Sequence, residues 1–86
     1  MITTRYYCRI EYGIPKGKEY WEVDNSCDDE LWDLSRTLNI EDFTTVSGTP
    51  ASAPYLEFWS EKREVVAEAQ RKFIELFRKH NYQVIF

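Results

Sequence analysis

Ile40-Glu-Asp-Phe-Thr-Thr-Val46, Ser47-Gly-Thr-Pro-Ala-Ser-Ala-Pro54 and Tyr55-Leu-Glu-Phe-Trp59 follow one another without a break in the middle of this chain. The outer two runs are rich in aromatic and β-branched residues, which suit a pleated, half-buried surface. The run between them holds no large apolar side chain and is dense in turn formers, so it reads as an exposed hairpin loop. In the second strand Leu56 and Phe58 fall on one face, and Tyr55, Glu57 and Trp59 on the other. The placement of this hairpin decides the architecture, because a helical pattern lies on each side of it.

Upstream, Ser26 has the character of an N-cap, with Asp29 three residues on. Asp28, Asp29 and Glu30 occupy the first turn, where the helix dipole favours negative charge. Leu31, Leu34 and Leu38 form an apolar stripe that Cys27 extends, so a helix is predicted over 27–38. Downstream, Ser60 is the expected N-cap of a longer helix reaching His80. Its stripe is Val66, Ala69, Phe73, Leu76, Phe77 and His80, with Val65 and Ile74 at the margins. Glu68–Lys72 and Glu75–Lys79 have the spacing of favourable pairs on a helix surface. Asn81 suits a left-handed C-cap, and residues 82–86 then close the chain as a strand.

At the N-terminal end, Ile2, Thr4, Tyr6, Cys8, Ile10 and Tyr12 alternate with Thr3, Arg5, Tyr7, Arg9 and Glu11, which predicts a strand. Gly13, Pro15 and Gly17 break it, and Glu19 to Val23 are read as a hairpin strand pairing back. Leaving that strand aside, the order is βαββαβ. The expected fold class is α+β, ferredoxin-like, with an antiparallel sheet and both helices on one face. A chain of 86 residues supports one modest core, so one domain is expected over residues 1–86.

Composition narrows function mainly by exclusion. A single histidine rules out a metal site built on imidazoles, and no nucleophile motif accompanies it. Gly13-Ile-Pro-Lys-Gly-Lys18 is one residue too short between its glycines for a phosphate-binding loop, and Glu19 stands where the hydroxyl should be. Cys8 and Cys27 are too far apart for a C-x-x-C pair, so both are read as small apolar side chains in a reducing, cytoplasmic setting. There is no signal-peptide pattern and no membrane-length apolar run. No cofactor, metal site or catalytic residue is expected, and the chain is read as a non-enzyme.

Two features point towards binding. The first is charge order: residues 1–18 carry a net +3, residues 19–42 a net −8 and residues 61–86 a net +2. An acidic patch of Glu22, Asp24, Asp28, Asp29, Glu30 and Asp33, with Trp32 as an aromatic anchor, is the candidate site for a basic protein partner. The second is an aromatic content of 16%, more than so small a core can bury. Tyr7, Arg9, Tyr55, Glu57 and Trp59 are expected on the sheet face that the helices leave open. That face would serve a homodimer enclosing a small ligand or, less well, single-stranded RNA, since Glu57 would face the phosphates.

Leu31-Trp32-Asp33, together with a last helix running into a terminal strand, resembles barstar, an acidic ribonuclease inhibitor. The resemblance covers two fragments. The antiparallel hairpin at 40–59 does not suit barstar's parallel sheet, so no residue role is carried over. The reading that emerges is a small inhibitor or regulator, of the kind phages and mobile elements encode, with no membrane or nucleic-acid contact.

Overall fold

The structure, a computed structural model, describes residues 4–13, 26–48 and 51–85. Its elements are β1 (Tyr6–Gly13), α1 (Ser26–Thr37), β2 (Glu41–Val46), β3 (Tyr55–Ser60), α2 (Arg63–Lys79) and β4 (Gln83–Val84). The strands form one antiparallel sheet in the order β2-β3-β1-β4. The expected α+β class, four-stranded antiparallel sheet and two helices are therefore present. The sheet departs from the regular ferredoxin-like one expected: β4 is reduced to two residues, and β2 carries a register shift between Glu41 and Thr44. The strand expected over Glu19–Val23 lies outside the described residues, as do the side chains of Ser26 and Cys27.

Alternation in β1 and β3 builds the floor of the core. Cys8, Ile10 and Tyr12 are buried, as are Leu56, Phe58 and Ser60 across the ladder. Ala69, Phe73 and Phe77, spaced one turn apart along α2, cover that floor and are fully buried. Leu31 brings α1 into the same cluster. Burial of each large side chain stabilises by about 1.5–3 kcal/mol, so a few aromatic residues hold this small fold. Phe73 is central, with ring centroids 5.4 Å from both Phe58 of β3 and Phe43 of β2.

The hairpin forms where expected, with Val46 opposite Tyr55. Glycine is needed at position 48, since a Cβ there would lie 2.6 Å from Pro54 Cδ. Ser60, in contrast, does not cap α2. It ends β3, buried, where its hydroxyl donates to Asn39 C=O (3.2 Å) and accepts from Lys62 N–H (3.2 Å). Lys62 holds the cap position without a side-chain bond. Burial within the sheet has taken the hydroxyl that the sequence pattern assigned to the helix.

The far end of α2 follows its sequence closely. Asn81 adopts φ 64°, the left-handed conformation of a helix-ending residue. Tyr82 N–H then bonds to Phe77 C=O (2.9 Å) and Asn81 N–H to Arg78 C=O (3.1 Å). This is the Schellman arrangement, and its usual apolar contact is present as the Tyr82–Phe77 ring pair at 5.9 Å.

Candidate functional site

Folding disperses the acidic segment. Glu22 and Asp24 lie outside the described residues. Glu41 and Asp42 pair with Arg5, at 3.2 and 2.5 Å. Both carboxylates hold the Arg5 guanidinium charged, Asp42 more strongly through its hydrogen bond. Asp33 pairs with Arg36 (2.7 Å) on α1 itself. Glu30 reaches the end of α2, where it bonds to His80 and lies 3.3 Å from Lys79. The His80 bond is the main cause of a Glu30 pKa below the ordinary carboxylate value. The basic ends of the chain thus neutralise much of its acidic middle.

Asp28 and Asp29 remain, in the exposed first turn of α1, with no cationic partner among the described residues. One turn further on stands Trp32, 40% exposed. Its ring rests edge-on against Phe43, centroids 4.7 Å apart, and Phe43 stacks in turn on the buried Phe73. Trp32 is therefore braced from below while its outer surface meets water. Two adjacent carboxylates beside a fixed indole suit contact with a basic, partly apolar surface.

The sheet face away from the helices carries the five residues expected there. Tyr7 stands opposite Trp59 and Arg9 opposite Glu57, with Tyr55 across from Glu11. These side chains largely satisfy one another. Tyr7 Oη donates to Glu57 Oε2 (2.7 Å), and that bond is the main reason the phenol titrates above its usual range. Tyr7 and Trp59 rings are 4.8 Å apart. The Arg9 guanidinium lies 3.8 Å from the Tyr55 ring centroid and pairs with Glu11, while Arg5 lies 5.6 Å from Trp59. On this face carboxylates thus lie between the cations.

Sequence reading missed Arg5 as the tie between β1 and β2, and Glu30–His80 as the tie between the helices. Only the charge order along the chain hinted at either. Among the described residues no group of three or more His, Cys, Asp or Glu side chains is placed to hold a metal ion. Cys8 is buried, and burial pushes its thiol pKa up, away from the nucleophilic thiolate. No helix among the described residues is long and apolar enough to cross a membrane. Comparison with protein-family models, curated proteins and solved structures finds no match to this chain.

Proposed function

We propose that this protein is a non-enzymatic binding module, an inhibitor or regulator that sets the exposed face of α1 against a basic surface on another protein. The observation that carries the reading is Trp32, exposed yet braced on Phe43, beside the carboxylates of Asp28 and Asp29. A pre-positioned aromatic side chain loses little freedom on binding, and uncompensated charge at its rim speeds encounter. The other acidic side chains contribute less, because Arg5, Arg36, Lys79 and His80 already meet them.

The test is capture of host proteins on three immobilised forms: wild type, Asp28→Lys/Asp29→Lys, and Trp32→Ala. A specific partner should be held by wild type alone and released between about 0.05 and about 0.5 M salt, as the Debye length shrinks. A partner held equally by all three forms, or held regardless of salt, removes α1 from the account.

A further inference from the structure

Among the described residues, two guanidinium groups lie over aromatic rings, and each also holds a carboxylate. Arg9 is 3.8 Å from the Tyr55 ring centroid and 3.1 Å from Glu11 Oε1. Arg5 is 5.6 Å from the Trp59 centroid and bonds to Glu41 (3.2 Å) and Asp42 (2.5 Å). The combination has a physical reason. A planar, weakly hydrated cation is drawn to the negative face of a ring, while the N–H groups on its edge still need acceptors. An aromatic face with a carboxylate beside it meets both needs at once.

α1 presents the same two parts without the cation. Asp28 and Asp29 stand four and three residues before Trp32, so all three share one surface of the helix. Helical side chains lean towards the N-terminus, which sets the Trp32 ring over the turn that carries the two acids. Trp32 is 40% exposed, and its T-shaped contact with Phe43 takes up at most one face of the indole. Nearby cations are committed elsewhere, Arg36 to Asp33 and Lys79 to Glu30.

We propose that Trp32, Asp28 and Asp29 form a receptor for an arginine side chain of the partner, a step that rests on the function proposed above and narrows its basic surface to one group. The guanidinium stacks on the indole and its N–H groups meet the carboxylates. Lysine fits less well, because its ammonium is a compact, strongly hydrated charge without a planar fork. The two cradles filled from within the chain both hold arginine.

Hexa-arginine and hexa-lysine peptides, equal in charge, test this on the full chain in about 0.1 M salt, where distant charges are screened. Nuclear magnetic resonance follows the Trp32 indole N–H and the α1 backbone amides. Both should shift saturably, with hexa-arginine bound at least about threefold more tightly than hexa-lysine. Asp28→Asn/Asp29→Asn and Trp32→Leu should each abolish that preference at the α1 amides. Amide protection in the β1–β3 ladder reports that the variants are folded. Equal affinity for the two peptides, a preference that survives either variant, or an indole signal that does not move overturns the proposal. A host protein held through α1 alongside equal peptide affinities would keep the binding face and remove arginine from it. An arginine preference at Trp32 with no host protein held through α1 would uphold the receptor and overturn the wider function.

Discussion

At one edge of the sheet lies β2, a short strand whose residues Asp42 and Phe43 together oppose the single Phe58 of β3. Asp42 is held at φ 52°, and it and Glu41 both pair with Arg5. Towards the other edge, β1 is a regular strand that pairs with the two-residue β4 at Tyr12 and Gly13 and carries tyrosines on both of its faces. A bulge discourages a further strand beside β2. The two edges share one core, so stability alone does not explain the difference. What separates them is regularity: β2 is shifted in register at Asp42, whereas β1 keeps an unbroken ladder with β3 from Tyr6 to Glu11.

The largest expected effect tests whether the edges do share a core. Phe73 touches Phe43 beneath the β2 edge and Phe58 beneath the centre of the sheet. Phe73→Ala should cost about 3–5 kcal/mol and lower both regions together in a single urea transition. Two separate transitions, followed by exchange at β1 and β2 amides, would divide the molecule into independent halves.

A smaller effect is expected at the bulge. Asp42→Val places a β-branched residue in the left-handed region and should cost about 1–2 kcal/mol. Asp42→Gly relieves the backbone while losing only the exposed Arg5 pair, so it should lie within about 1 kcal/mol of wild type. Equal urea midpoints for the two variants would mean that the conformation at Asp42 places no demand on the residue there.

The smallest effect concerns how the β2 side of the molecule is tied to α2. Glu30 has a lowered pKa in the fold, so its bond to His80 and Lys79 stabilises above the ordinary carboxylate range. That contribution is lost as pH falls through the lowered value. Glu30→Gln should therefore flatten the acid limb of a stability–pH curve and leave β1 exchange untouched. An unchanged acid limb would assign it to other carboxylates.

Much of this fold was legible because it is written in short-range pattern. The 3.6-residue stripe of α2, the alternation in β1 and β3, and the left-handed Asn81 each depend on neighbours within a turn or two. Ser60 was misread because a serine before a helix looks like a cap until burial claims its hydroxyl. The length of β4 and the bulge at Asp42 depend on what lies across the sheet, and no local period encodes that. The surfaces divide in the same way. Tyr7, Tyr55 and Trp59 were assigned to one face by parity alone. Which acid meets which base was out of reach, because Arg5 with Glu41 and Glu30 with His80 join residues far apart in the chain. The pairing of Glu75 shows this even within one helix. It bonds to Arg71 (2.8 Å), while Lys79 turns away towards Glu30.

The central ladder carries a consequence for how the chain reaches this state. Tyr7 and Glu57, neighbours on the sheet face, are 50 residues apart in sequence. Closing a loop of that length costs roughly 3–4 kcal/mol of chain entropy before any β1–β3 contact is rewarded. The β2–β3 hairpin and α2 are local and have no such delay, so β1 is the natural late arrival in folding. It comes from a segment of net positive charge and lands beside Glu41 and Asp42 in the acidic one. Opposite net charge on these two distant segments favours their encounter, so charge order along the chain works in the same direction as the ladder it precedes.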